Sequence, residues 1–162
     1  MTRAKPAGTP ALVTLQRSSV DFTVHPYEHD PAAESFGMEA AEALGLDPAT
    51  VFKTLLAEVD GSAVVAIVPV TGQLDLKALA ATRAGKRARM MEVSAAERLT
   101  GYVAGGISPL GQRKPLPTVI DASAEALDTM YVSGGQRGLD IGIAPADLQR
   151  LTGATYAPIA TG

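Results

Sequence analysis

The 162-residue sequence contains no cysteine. That absence excludes a disulfide framework, a thiolate metal site and a thiol nucleophile supplied by the protein itself. No stretch approaches the roughly 18 consecutive apolar residues of a membrane span. The segment from Met1 to Pro10 carries Arg3 and Lys5 with no apolar region behind them, so it does not read as a secretory signal. No membrane partner is expected, and the expected location is cytoplasmic. An excess of positive charge is missing too. The formal net charge is −3, and nonspecific affinity for phosphate backbones comes mainly from cationic side chains. DNA is therefore not an expected partner, and any RNA contact must rest on a local patch.

The familiar catalytic signatures are also missing. No Walker loop, dinucleotide fingerprint or Gly-x-Ser-x-Gly elbow is present, and Ser108 is followed by proline. His25 and His29 are four apart, but Pro26 between them opposes the helix that would bring both rings to one ion, and no third ligand stands nearby. Neither a metal nor a cofactor is expected.

What the sequence does contain is material for one ordinary core: 46% of the residues are hydrophobic, over a length that suits a single domain. Thr9-Pro10 supplies an N-cap and a first-turn proline for a short helix that shows Leu12 and Leu15 on one face. Val20, Phe22 and Val24 alternate with Asp21 and Thr23, the period of a half-buried strand leading into Tyr27. A second helix is expected from near Ser35, with Met38, Ala41 and Leu44 inward and Gly45 as its stop, followed by a short turn at Asp47-Pro48.

The runs Phe52 to Val59 and Ala63 to Val70 are joined by Asp60-Gly61, a strong hairpin signal, and read as central strands. Asp75 caps a helix through Leu76, Leu79 and Ala80 that stops at Gly85, and Ser94 with Glu97 predicts a capping box. Strands at Thr118 to Asp121, Thr129 to Ser133 and Leu139 to Ile143 precede a helix opened by Pro145 and closed at Gly153. This order predicts an α+β single domain, with a mixed, mainly antiparallel sheet curled into a barrel-like form and surrounded by helices.

Several positions could carry chemistry. Lys53 begins an apolar strand on the face shared by Leu55, Ala57 and Val59. Two readings compete: the ammonium snorkels into water, or it points into a cleft where a negative group needs it. It acts as a base only if desolvation lowers its pKa toward neutrality, and the charged role is favoured. The Gly105 to Gly111 segment is either a loop of tight turns or a place where backbone N–H groups approach a carbonyl oxygen. Ser133 to Asp140 is a second glycine-rich turn. Its aspartate either bonds the turn amides, pairs with Arg137, or binds a substrate amine or hydroxyl. Arg83, Lys86, Arg87 and Arg89, with Arg113 and Lys114 as a smaller group, read either as a solvated helix end or as an RNA contact.

Taken together, Tyr27 to Pro31, Val51 to Leu56, Gly72 to Lys77, Gly105 to Gln112 and Tyr131 to Ile141 resemble the YbaK family of bacterial deacylases over roughly residues 10 to 160. The resemblance implies a tail at residues 1–9 and an editing domain at 10–162, related to the editing insertion of bacterial prolyl-tRNA synthetase. It implies hydrolysis of cysteinyl-tRNA(Pro), and of cysteinyl-tRNA(Cys), with the substrate thiol attacking its own ester. By motif, the family's essential lysine falls on Lys53, its pocket tyrosine on Tyr27, its close-approach glycine on Gly105 and its pocket aspartate on Asp140. Thr54, Gly106, Ile107, Ser108, Ser133, Gly134 and Arg137 complete the expected substrate-binding set, and Arg83, Lys86, Arg87 and Arg89 are the candidates for the tRNA backbone. Aminoacyl-tRNA and prolyl-tRNA synthetase are the implied partners. Two alternatives stay open: a water-using deacylase for alanyl-tRNA(Pro) or another small residue, and a noncatalytic aminoacyl-tRNA-binding module.

Overall fold

The computed structural model describes residues 8–33 and 35–162. Of the expected tail, residues 1–7 lie outside the described residues. The chain begins with α1 (Pro10–Arg17), whose cap does two jobs. Thr9 Oγ1 accepts from the Leu12 N–H at 3.2 Å and donates to the Gly134 carbonyl at 2.6 Å, fastening the helix start to a glycine-rich strand more than a hundred residues away.

After α1, the chain forms β1 (Phe22–Pro26), α2 (Phe36–Leu44) and, beyond a single 3-10 turn capped by Asp47, the hairpin β2 (Phe52–Val59) and β3 (Ser62–Pro69). Asp60 and Gly61 take φ of 49° and 86°, the doubly positive conformation of a type I′ turn, whose twist matches the flanking strands. Next come β4 (Gln73–Leu74), α3 (Leu76–Thr82), β5 (Ala88–Met90), α4 (Val93–Thr100) and β6 (Thr118–Asp121). The chain closes with β7 (Met130–Gln136), β8 (Leu139–Ile143), α5 (Pro145–Thr152), β9 (Thr155–Ala157) and β10 (Ala160–Thr161).

The strands form a three-stranded sheet, β1-β8-β7, a five-stranded sheet, β5-β2-β3-β6-β9, and the small pair β10-β4. Most pairings are antiparallel; β3 with β6 and β6 with β9 are parallel. The two larger sheets meet at one parallel bridge, Val51 to Tyr131. The expected curled, mixed, mainly antiparallel arrangement is therefore present, as two sheets joined at a seam; closure into a continuous barrel is not seen among the described residues.

Each face of the β2–β3 hairpin covers its own core. Phe52, Leu56, Val65 and Ile67 pack against Met130, Val132, Leu139 and Ile141 of the smaller sheet. Ala57, Val59, Val64, Ala66 and Val68 face the other way, beneath Leu79 and Ala80 of α3 and Ile159. This two-sided burial explains why β3 reads as an unbroken apolar run rather than an alternating one.

Three local expectations change. Val24 is 37% exposed, because β1 is an edge strand paired only with β8. The helix from Asp75 ends at Thr82, short of Gly85; Ala84, at φ 53°, makes the left-handed turn and the Gly85 N–H bonds the Ala80 carbonyl at 2.8 Å. The capping box does not form. Helix α4 starts one residue before Ser94, with Glu92 at the cap and no side-chain cap bond. Glu97 instead accepts from the Ala104 N–H at 2.8 Å, a tertiary bond that takes the carboxylate away from its local use.

Candidate active site

A cleft of about 300 Å³ opens where the N-terminal end of β2 meets the β7–β8 hairpin, the start of α2 and the loop around Gly105. Strand β2 contributes Lys53, Thr54 and Leu55; Ser133 and Asp140 come from β7 and β8 of the smaller sheet, Tyr27 from just beyond β1, and Gly105 and Ile107 from the loop. Residues remote in sequence thus meet in one cavity, and most of the expected substrate-binding set lines it.

The cleft's polar groups are kept out of mutual contact. Lys53 has no ion-pair partner among the described residues. Asp140 is 5% exposed, and its carboxyl has no hydrogen-bond partner there either, so the alternatives of a bond to the turn amides or a pair with Arg137 are not realised. Burial pushes this carboxyl up to about 7. Burial, with the nearby Asp140 charge adding to it, pushes the Tyr27 phenol up to about 12, so the hydroxyl keeps its proton at neutral pH. The Thr54 Oγ1 is buried with no partner among the described residues. A cavity lined by a cation, a buried acid and an unpaired hydroxyl is equipped to bind a polar ligand rather than to stabilise the fold.

The glycine loop is fixed from three directions. Glu97 holds the Ala104 N–H, Arg137 Nε donates to the Ala104 carbonyl at 2.8 Å, and the Gly106 N–H bonds the Val103 carbonyl at 2.8 Å. The Gly105 N–H has no hydrogen-bond partner among the described residues. Gly105 takes φ 84° beside the Phe36 ring.

Some expected contact residues stand behind the cleft wall. Gly106 packs against the backbone of Gln136 and Arg137. Ser108 is fully buried and accepts from the Leu110 N–H at 3.2 Å. Gly134 lies against Leu139 and Ile141, and Arg137 borders the cleft through the Ala104 carbonyl and Phe36, its guanidinium 5.0 Å from the ring centroid. The basic cluster is elsewhere, at the opposite end of β2, where Arg89 pairs with Glu58 at 2.7 Å.

The sequence reading missed the contribution of α2, which brings Ser35, Phe36, Gly37 and Ala40 to the cleft. The one available signal was an aromatic residue directly after the Ser35 cap, at a helix position that the inward face of Met38, Ala41 and Leu44 does not include.

A mixed α+β fold with a cation and a buried acid facing one small cleft defines a ligand-binding or catalytic domain, and comparison with known proteins specifies which. The profile of the aminoacyl-tRNA editing domain family matches residues 29–151. The chain belongs to this family, and its class is that of an aminoacyl-tRNA deacylase. It is 38% identical over 122 residues, covering 75% of this chain and 74% of the relative, to an Enterococcus faecalis (strain ATCC 700802 / V583) protein provisionally named Cys-tRNA(Pro)/Cys-tRNA(Cys) deacylase EbsC. Among solved structures it is similar to one provisionally titled a trans-editing enzyme for prolyl tRNA synthetase, at 26% identity and TM-score 0.76, covering 87% of each chain. It is also similar to a scaffold protein used in computational epitope grafting, at 27% identity and TM-score 0.78, covering 94% of this chain and 93% of that one.

No helix among the described residues is long and apolar enough to cross a membrane.

Proposed function

We propose that this protein removes cysteine from tRNA(Pro), and from tRNA(Cys), and that the substrate's own thiol performs the attack. The observation that carries the reading is the composition of the cleft. It holds Lys53 and Asp140 but no histidine, and the chain has no cysteine. The two histidine rings bond elsewhere, His25 to Thr23 and His29 to Glu39. Neither imidazole lines the cleft or bonds the hydroxyls of Ser35, Thr54 and Ser133, the arrangement that would activate one of them as a nucleophile. A cysteinyl ester brings a better one.

In this reading Lys53 holds the phosphate or nearby oxygens of the terminal adenosine, and Asp140 and the Gly105 N–H orient the aminoacyl ester. The substrate sulfur then bonds to the ester carbonyl carbon. The carbon–oxygen bond to the ribose breaks, and the ribose oxygen takes up the proton that the thiol releases. Water afterwards opens the cyclic thioester to free cysteine. The protein's contribution is position: holding reacting atoms near contact distance can lower a barrier by several kcal/mol without a catalytic side chain. A serine hydroxyl is a far weaker nucleophile at neutral pH and an alanine methyl is none, so selection is chemical as well as steric. The similarity to a structure titled as a trans-editing enzyme for prolyl tRNA synthetase supports that synthetase as the partner that supplies the tRNA, and the cytoplasm as the place of work.

The test is release of amino acid from tRNA(Pro) charged in parallel with cysteine, alanine and proline, by the native protein and by Lys53→Ala. Loss of cysteine alone, abolished in the variant with the fold intact, is expected. Release of alanine would transfer the protein to water-based chemistry, tight binding without release would make it a carrier module, and full activity in Lys53→Ala would remove the lysine from the mechanism.

A further inference from the structure

A second cleft, of about 560 Å³, lies at the other end of β2. Its walls include Lys77 from the start of α3 and Lys86, Arg87 and Arg89 from the approach to and body of β5, opposed by Glu58 and Asp60. Both carboxylates are already engaged. Glu58 takes Arg89 Nε, and Asp60 accepts the backbone N–H groups of Lys86 and Arg87 at 3.0 to 3.3 Å. The side chains of Lys77, Lys86 and Arg87 have no ion-pair partner among the described residues, and the Arg89 side chain remains 81% exposed despite its pair. A chain of net charge −3 has thus gathered a cationic groove and used backbone amides to occupy one of its two acids. Arg83 does not line it.

The groove and the active cleft are connected by one strand. Lys53 stands five residues before Glu58, roughly 17 Å at about 3.3 Å per strand residue. Leu55, next to Lys53 on its face of the sheet, lines the first cleft, and Leu76, packed on the same face's core, lines the second, while Glu58 and Arg89 reach the second from the other face at the edge strand β5. A single extended polyanion can therefore reach both.

We infer that this groove is a second contact for RNA backbone phosphates, engaging the same aminoacyl-tRNA whose ester sits beside Lys53; the inference rests on the deacylase reading above. At about 3.4 Å per stacked nucleotide along one strand, the groove meets phosphates roughly five nucleotides from the esterified end. The contact is sequence-independent, since cationic side chains on phosphates position a nucleic acid without reading its bases. It supplies affinity that the small active cleft does not.

The experiment compares the native protein with Lys77→Gln/Lys86→Gln/Arg87→Gln, which keeps every backbone bond to Asp60. Two substrates are used: full-length cysteinyl-tRNA(Pro) and the cysteinyl ester of the trinucleotide CCA, too short to reach the groove. On the full tRNA, KM should rise about tenfold or more with kcat little changed, and the slope of log KM against log salt should fall by about one for each cation removed. Turnover of the trinucleotide ester should not change. Equal KM on the full tRNA, or equal loss on both substrates, would overturn the inference. If the native protein released no amino acid from either substrate, the deacylase reading would fail, and the groove would be judged by fluorescence anisotropy with uncharged tRNA(Pro). Salt-sensitive binding weakened in the triple variant supports it, and binding identical in both proteins refutes it.

Discussion

The ring of Phe36 occupies the space that a side chain at residue 105 would need. A Cβ built on Gly105 meets Cγ, Cδ1 and Cε1 of that ring at 2.7–2.8 Å, while φ of 84° already disfavours any other residue there. Helix α2 and the glycine loop are thus matched surfaces, and the cleft's width depends on their contact.

Gly105→Ala should therefore cost about 1–3 kcal/mol of stability from backbone strain and overpacking and lower deacylation by at least about tenfold. Adding Phe36→Ala should recover part of the stability loss, because only the steric share is removed. Urea unfolding of both single variants and the double gives the coupling energy; strict additivity would show that the ring and the loop do not press on each other.

Thr54→Val tests the unpaired hydroxyl. A buried hydroxyl without a partner costs about 1–3 kcal/mol, so the near-isosteric valine should raise stability, by about 1 kcal/mol. If Oγ1 serves the substrate, KM for the cysteinyl ester should rise at the same time. A variant that is less stable and unimpaired would contradict both statements.

Asp140 makes stability depend on pH in a direction opposite to the usual carboxylate. Its folded value, about 7, lies above the ordinary 3.8, so between these pH values the native state retains a proton that the unfolded chain has released. Stability from this group accordingly falls as pH rises from about 4 to 7 and then levels, a total on the order of 4 kcal/mol. Asp140→Asn removes that dependence, so its melting temperature relative to the native protein should climb between pH 5 and pH 8. Parallel melting profiles would show that the carboxyl titrates normally.

Asp121 fastens the end of the chain. Its Oδ1 accepts from the Ile159 and Ala160 N–H groups at 2.9 Å each, and its Oδ2 from the Ser123 N–H and hydroxyl at 3.2 and 2.6 Å. Asp121→Ala should cost about 2–4 kcal/mol by stranding buried donors. Hydrogen exchange should accelerate first at Ile159 and Ala160. Unchanged protection at these amides would mean that the β4–β10 pair holds the terminus without the carboxylate.

Much of the fold was legible because its signals are local. The caps at Thr9, Ser35 and Asp75, the Asp60-Gly61 turn and the stops at Gly45 and Gly153 all act within a few residues, where a side chain and a backbone group compete with little else. The capping box at Ser94 failed because Glu97 found a better partner in Ala104, seven residues on, which no local rule weighs.

The candidate site divides in the same way. Lys53 and Asp140 were conspicuous in the sequence, since each places a charge within an apolar strand, and burying such a charge is too costly to occur without a reason. The absence of cysteine also settled, from sequence alone, that the protein carries no thiol nucleophile of its own. Folding alone decided that Phe36 borders the cleft, that Ser108 and Gly134 stand behind it, and that the basic cluster lies at the opposite end of the strand that carries Lys53. Composition and short-range pattern record what each residue is and which local conformation it favours. Which residues share a cavity depends on how the sheets register and pack, and that is set by contacts between segments far apart in the chain.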